Sequence, residues 1–302
     1  MDAIEQAYAI ELAGAYSMPP RIYIDHQENT LLYMPCFLEN IFGTKFLSLF
    51  PGNATRNQPV INGVVMLNEA ATGKPVAILD GAKVTAIRTG AVGGVAVRHT
   101  APEQVDSLGL IGAGVQGFHQ VLFACQARKI TTVSVYDMSK EKTRICCEHL
   151  SNALPQISIK PAQSVEDLLV KSEIVITATP SQKPVLPDDE NLLRNKCYIG
   201  IGSYKPDMRE FPRALFHLIE QVLIDTEHGL EESGDLITPL DKGWIEKSQI
   251  LKFGSYLTAK NRPGSGEKTT LFKSVGMGLF DIVVSELIYR KALQKGIGQV
   301  LD

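Results

Sequence analysis

The chain has 302 residues, and at roughly 150 residues per domain this length predicts about two domains. Lys and Arg number 30 against 33 Asp and Glu, a net charge of -3, so no basic face of the kind a nucleic-acid binder carries is indicated. With 44% hydrophobic and 21% charged residues, the composition is that of a globular protein and excludes a disordered tract, a collagen-like repeat or a disulfide-dense scaffold.

The opening residues MDAIEQAYAIELAG are acidic and helical, without the basic start and apolar core of a secretory signal. Nowhere does an apolar run approach the roughly 18–20 residues of a membrane span, so a cytoplasmic protein is expected. A helix over residues 2–14 leads to the Pro19-Pro20 break, followed by alternating runs at 21–24, 30–34, 45–50 and 64–68. The turn Thr72-Gly-Lys-Pro75 precedes a run at 76–79, so 64–79 reads as a hairpin and the whole as a mostly antiparallel meander. Residues 84–97, built from Thr, Ala, Gly and Val, predict a closely packed helix. From about residue 103 strands and helices alternate. Strands at 106–111, 132–136, 157–160, 174–177, 198–201 and 222–225 are interleaved with helices at 116–128, from 139 to near 150, and after the S-x-x-D cap at Ser164. That alternation implies right-handed crossovers and a doubly wound parallel sheet in an α/β protein. A last helix, about 276–293, lies beyond the final strand of this unit.

Five cysteines, Cys36, Cys125, Cys146, Cys147 and Cys197, form no C-x-x-C and no zinc-ligand spacing with a histidine, so inert thiols in a reducing compartment and no bound metal are expected. The six histidines form no motif.

G-x-G-x-x-G occurs at Gly112, Gly114 and Gly117, after a predicted strand and at the start of a predicted helix, which is the context of a dinucleotide cradle. Gly112 permits the tight turn, Gly114 lets the backbone approach a pyrophosphate, and Gly117 lets helix and sheet pack closely. Ala113, Val115 and Gln116 complete the loop at a helix N-terminus suited to an anion. About twenty residues on, Asp137 ends the second strand, where a carboxylate accepts hydrogen bonds from a ribose. An acid there repels a 2′-phosphate and favours NAD(H), while Ser139 and Lys140 behind it leave NADP(H) open. Thr177, Ala178 and Thr179, directly after a buried strand, are a second candidate cofactor contact, because ligands bind at the carboxyl ends of parallel strands; an ordinary threonine-capped turn accounts for them equally well. Pro263-Gly-Ser-Gly-Glu-Lys-Thr-Thr270 imitates a P-loop but has Glu267 between Gly266 and Lys268, and is rejected.

Arg88 lies among small apolar residues. A buried guanidinium needs a counter-charge, and its planar fork suits bidentate capture of a carboxylate; a substrate contact and a structural ion pair read equally. Arg21 and Lys45 also stand in apolar surroundings. Each alone reads as a surface residue with a snorkelling stem, but three cations beside a dinucleotide fold suit a small anionic substrate such as an amino or imino acid.

Taken together, Met18-Pro-Pro-Arg21, Gly43-Thr-Lys45 with Phe50-Pro-Gly-Asn53, Ala82-Lys-Val-Thr-Ala-Ile-Arg-Thr-Gly-Ala91, the glycine loop, Gly202-Ser-Tyr-Lys-Pro-Asp-Met-Arg-Glu210, Glu232-Ser-Gly-Asp235 and Leu271-Phe-Lys-Ser-Val-Gly276 resemble the ornithine cyclodeaminase/μ-crystallin family over nearly the whole chain. The resemblance implies a homodimer with a discontinuous substrate and dimerisation domain of mixed α+β structure, residues 1–98 with 276–302, around a Rossmann domain at 99–275. It also implies that this sequence starts inside the family's first helix. It places Arg21, Lys45 and Arg88 on the substrate, with Arg88 on its carboxylate. Thr89, the glycine loop, Asp137, the 177–181 turn, Gly202, Ser203, Lys273 and Ser274 would line the cofactor. Where the cyclodeaminases have G-G-D-C-P, this chain has Gly202-Ser-Tyr-Lys-Pro206, with Tyr204 at the aspartate position, as in the ketimine reductase and alanine dehydrogenase branch. The expected activity is NAD(P)H-dependent reduction of a cyclic ketimine carboxylate, Δ1-pyrroline-2-carboxylate or Δ1-piperideine-2-carboxylate, to proline or pipecolate. Lys45, or a water it positions, would supply the proton, or Lys45 would act as an electrostatic contact only. Alanine dehydrogenase is the nearest rival, then ornithine cyclodeaminase, then a non-catalytic binding protein, as μ-crystallin is with thyroid hormone.

Overall fold

The computed structural model describes residues 1–56, 58–259 and 268–300. Residues 263–267 of the P-loop-like segment lie outside them. In chain order the helices are α1 (Asp2–Ala13), α2 (Gly81–Thr100), α3 (Val115–Ala127), α4 (Lys140–Ala153), α5 (Val165–Val170), α6 (Glu190–Leu193), α7 (Arg213–Leu218), α8 (Gly229–Glu232), α9 (Gly234–Asp241), α10 (Phe253–Thr258) and α11 (Gly278–Lys295). The strands are β1 (Ile22–His26), β2 (Asn29–Phe37), β3 (Ile41–Leu49), β4 (Ile61–Glu69), β5 (Pro75–Asp80), β6 (Ser107–Ile111), β7 (Thr132–Tyr136), β8 (Ser158–Pro161), β9 (Ile174–Thr177), β10 (Cys197–Gly200), β11 (Val222–Ile224), β12 (Ile250–Lys252) and β13 (Thr270–Lys273). Among the described residues no helix is long and apolar enough to cross a membrane.

The chain divides into two compact units, one of Asp2–Arg88 with Met277–Asp302, the other of Met1 with Thr89–Gly276. The division falls inside α2, between Arg88 and Thr89, where the sequence reading sets a boundary at residue 98. Chemistry explains the shift. The second half of α2 carries Gly90, Gly93 and Gly94 against α3, and a Cβ on Gly90 would lie 2.7 Å from the Phe123 ring, so these turns are held by α3.

In the unit of Asp2–Arg88 and Met277–Asp302, β1 to β5 form one antiparallel meander in sequential order. Period-two alternation sorts β3, with Ile41, Gly43, Lys45 and Leu47 turned inward and Phe42, Thr44 and Phe46 only half-buried. α11 covers the inward face, and α1 packs on α11, where the rings of Tyr8 and Phe280 meet edge-on at 5.1 Å. Gly43 sets how closely α11 sits, because a Cβ there would come within 2.9 Å of Ile282 Cδ1 and would overlap the Met66 carbonyl.

In the other unit eight strands lie in the order β12-β11-β13-β10-β9-β6-β7-β8, every neighbouring pair parallel. The central strands are mostly apolar because both faces are covered; Ile174, Val175 and Ile176 of β9 are fully buried. Connections run from β6 through β7 to β8 on one side and from β9 outward on the other. The switch point, where a crevice opens at the carboxyl ends, therefore lies between β6 and β9. β13 inserts between β10 and β11, out of sequence order. The Ser164 cap holds as expected, accepting from the Asp167 amide at 3.1 Å; the Asp167 carboxylate, however, accepts from the Gln163 amide instead of closing the box on Ser164.

Candidate active site

The carboxyl ends of β6, β7, β9, β10 and β13 carry the candidate cofactor residues. Gly112 has φ +103°, a conformation that favours glycine, and a Cβ there would sit 2.5 Å from the Ala178 carbonyl. Gly117 lies under the loop, where a side chain would overlap the Gly112 carbonyl. Gly114 caps α3 in extended conformation without any side-chain cap, and nothing lies within 4 Å of where its Cβ would be. The start of α3 is thus left without a side-chain cap, as an anion site at a helix N-terminus requires. Val115, the first residue of α3, is exposed.

Asp137 ties this loop to the next helix. Its carboxylate accepts from the Ala113 amide through Oδ2 and from the Ser139 amide through Oδ1, both at 2.9 Å. Ser139 in turn caps α4 by accepting from the Lys142 amide. Each Asp137 oxygen keeps a further lone pair for a ribose hydroxyl.

Two carboxylates without an assigned role in the sequence reading hold the neighbouring loops. Glu210, fully buried, accepts from the Thr179 amide and hydroxyl at 2.8 Å through Oε1 and from the Gly202 amide at 2.7 Å through Oε2. Asp225 accepts from the Ser274 hydroxyl at 2.6 Å and from the amides of Val275 and Gly276. A third, Asp235, accepts from the amides of Glu210 and Phe211, and its other oxygen lies 3.8 Å from Lys273 Nζ. Burial pushes the Asp235 carboxyl up to about 6, against the Lys273 charge, which pulls it down.

The side chains of Ser203 and Lys273 are engaged inside this network. The Ser203 hydroxyl donates to the Met208 carbonyl and lies 2.8 Å from the Ser233 hydroxyl, while the Lys273 amine donates to the carbonyls of Gly200 and Ser274. By contrast the buried oxygens Thr89 Oγ1, Thr177 Oγ1 and Gln116 Oε1 have no hydrogen-bond partner among the described residues. An unsatisfied buried polar atom costs about 1–3 kcal/mol. The open glycine loop and these oxygens fit a polar dinucleotide.

The other unit carries the charge cluster. Lys45 stands in the middle of the inward face of β3, opposite Met34 on β2 and Val65 on β4. Sequence alone makes it a surface lysine with a snorkelling stem; the structure buries it, with 1% exposure, because α11 brings Asp281 to it. Asp281 Oδ2 lies 2.8 Å from Lys45 Nζ, and Oδ1 accepts from Arg88 Nε at 2.9 Å. Burial lowers the Lys45 amine to about 7; the charge of Asp281 opposes this, and those of Arg88 and Arg21 add to it. Arg21, half-buried just before β1, thus belongs to the same neighbourhood. Cys36 on β2 is pushed up to about 12, first by burial and then by Asp281, and stays a neutral thiol.

Asp281 is the residue the sequence reading misses. Its signal is a lone carboxylate in the apolar run Leu279-Phe-Asp-Ile-Val-Val284, a place where a charge is costly unless paired. Among the described residues no group of three or more His, Cys, Asp or Glu is placed to hold a metal ion. A cleft lined by Arg194, Asn195, Glu220 and Thr270 lies at the amino ends of strands and contains none of these residues.

A sequence model of the ornithine cyclodeaminase/mu-crystallin family matches residues 1–296. The chain is 32% identical over 287 residues to a Δ1-pyrroline-2-carboxylate reductase of Bacillus cereus, covering 92% of this chain and 86% of that protein. Its fold matches that of the Thermococcus litoralis Δ1-pyrroline-2-carboxylate reductase in complex with NADH and L-proline, at TM-score 0.93 and 31% identity, over 99% of this chain and 94% of that one. An archaeal alanine dehydrogenase dimer with bound NAD is similar at TM-score 0.90 and 26% identity, over 100% of this chain and 93% of that one.

Proposed function

The chain belongs to the ornithine cyclodeaminase/mu-crystallin family, and from that premise we propose that it is an NAD(H)-dependent reductase of a cyclic ketimine carboxylate, with Δ1-pyrroline-2-carboxylate as substrate and proline as product. The observation that carries this reading is the buried cluster in which two cations, Lys45 and Arg88, share the single carboxylate of Asp281. Such a cluster is short of negative charge and suits a small monoanion. Similarity to reductases acting on this imine, one of them solved with NADH and L-proline, supports the same substrate.

In this reading Arg88 takes the substrate carboxylate on its guanidinium fork, with Arg21 adding positive charge, and so fixes the ring. Lys45, as the ammonium form, supplies a proton to the ring nitrogen as the C=N electron pair moves onto it. The bound dinucleotide supplies the hydride that the ring carbon accepts. The glycine loop and α3 hold the pyrophosphate, and Asp137 accepts from the ribose. Thr89, Thr177 and Gln116 offer their unpartnered oxygens to the cofactor, while Ala178, Thr179, Gly202 and Ser274 shape the cradle through loops that Glu210 and Asp225 fix.

The reading includes a cytoplasmic homodimer. All five cysteines are free thiols. The outer face of the five-stranded sheet carries Ile22, Ile24, Val64 and Ile78, each 41–62% exposed, and register puts them on one side with Tyr33 and Phe46. An apolar face of this kind is a contact surface.

Absorbance at 340 nm tests the activity. Oxidation of NADH is expected with Δ1-pyrroline-2-carboxylate and not with pyruvate plus ammonia. The reverse result would establish alanine dehydrogenase, the reading that the archaeal neighbour favours. Arg88→Lys keeps the charge but loses the fork, and kcat/KM is expected to fall about tenfold to hundredfold; an unchanged value would remove Arg88 from the substrate.

A further inference from the structure

Lys45 and Arg88 are 1% and 5% exposed and Asp281 is fully buried, so the cluster has little water to compensate its charge. Asp281 meets Arg88 only through Nε, the side of the guanidinium away from its terminal fork. Among the described residues the two Nη groups of Arg88 make no hydrogen bond to protein. The groups facing Lys45 are Asp281 from α11, Arg88 from α2, Arg21 before β1, and the neutral thiol of Cys36 from β2. Met34 and Val65, its cross-strand neighbours, carry no charge. When Lys45 is charged, it and Arg88 therefore have the one carboxylate of Asp281 between them.

We propose that Asp281 is a positioning residue that turns the Arg88 fork outward and leaves the cluster one negative charge short, so that arrival of a carboxylate ligand draws a proton from solvent onto the Lys45 amine. The ligand is the second counter-charge. One N–H bond forms on Lys45 as the proton leaves hydronium or a buffer acid in solvent; the carboxylate enters as an anion, and an ammonium pairs with two carboxylates where a neutral amine had faced one. Binding thereby loads the proton that reduction of an imine consumes, and a site without its anion holds Lys45 unprotonated above neutral pH. The inference rests on the reductase reading only in naming the ligand; the charge deficit belongs to the cluster itself.

Pyrrole-2-carboxylate, a planar ring carboxylate with no reducible imine, is the probe, and pyrrole-2-carboxamide is its neutral control. Both are titrated into the protein with NAD bound, in calorimetry repeated in buffers of different ionisation heat, from about pH 6 to about pH 9. With Lys45 near 7 in the empty site, both states are protonated at the acid end and no uptake is expected there. Uptake should rise toward one proton per site above pH 7 and fall again once the liganded amine also deprotonates. The amide should bind without uptake, and Lys45→Met, its fold checked by retained NADH binding, should take the carboxylate with none. Carboxylate binding with no proton exchange across this range in the wild-type protein would overturn the inference, as would equal uptake in Lys45→Met or failure of the carboxylate to bind. Turnover of Δ1-pyrroline-2-carboxylate by the same preparation reports separately on the reductase reading.

Discussion

At the scale of single residues, what decides the chemistry is which charges lack enough partners. Burial lowers the Lys45 amine to about 7, against the pull of Asp281, which it shares with Arg88. A proton donor with that value is charged below it and neutral above. For reduction, kcat/KM is therefore expected to fall as pH rises through about 7, because this parameter reports the free enzyme. With a carboxylate bound, the amine holds its proton longer, so kcat should persist to higher pH; coincident profiles for the two parameters would count against Lys45 as donor. In the proposed reading Asp137 selects the nucleotide. Its carboxylate sits between the glycine loop and α4, where it would face a 2′-phosphate as a like charge. Asp137→Ser is expected to lower kcat/KM for NADH about tenfold and raise that for NADPH. The place of Asp137 beside the glycine loop was legible because its distance from that loop is a local property. The pairing of Asp281 was not, because the partners of a carboxylate 193 residues from Arg88 are invisible along the chain.

Among elements, α11 and β3 show how a charged group comes to be buried without unfolding the protein around it. Alternation along β3 turns Lys45 inward with Ile41, Gly43 and Leu47, and the absence of a side chain at Gly43 lets α11 approach. Gly43→Val would press on Ile282 and on the Met66 carbonyl, and overpacking of this kind costs about 1–3 kcal/mol. A lowered midpoint in urea is expected, together with loss of activity from displacement of Asp281; full stability and activity would show that the helix is not held so closely. Strands and long helices were readable from period and caps, as Thr132–Tyr136 and the Ser139 and Ser164 caps illustrate. The short helices α6 to α10 and the strand β12 were not, since segments of three to eight residues carry too few positions to define a period.

For the whole molecule, length alone predicts two domains but not where they divide. The structure cuts α2 between Arg88 and Thr89, so a residue proposed for the substrate and one proposed for the cofactor are adjacent in sequence yet belong to different units. The apolar outer face of the five-stranded sheet sets the expected assembly. Ile78→Asp with Val64→Asp should convert a dimer to a monomer in sedimentation, and a monomeric wild-type protein would refute that surface as the interface. The parallel sheet, its glycine loop and the acid behind it follow from the order of residues alone, because each depends on spacing within one strand–turn–helix unit. Packing of distant segments is what buries Lys45, makes Asp281 the counter-charge it shares with Arg88, and lets Glu210, Asp225 and Asp235 fix the loops around the candidate cofactor cradle. Those pairings come from helices and strands packed together from distant parts of the chain, and burial, which gives each charge its strength, exists only once they have packed.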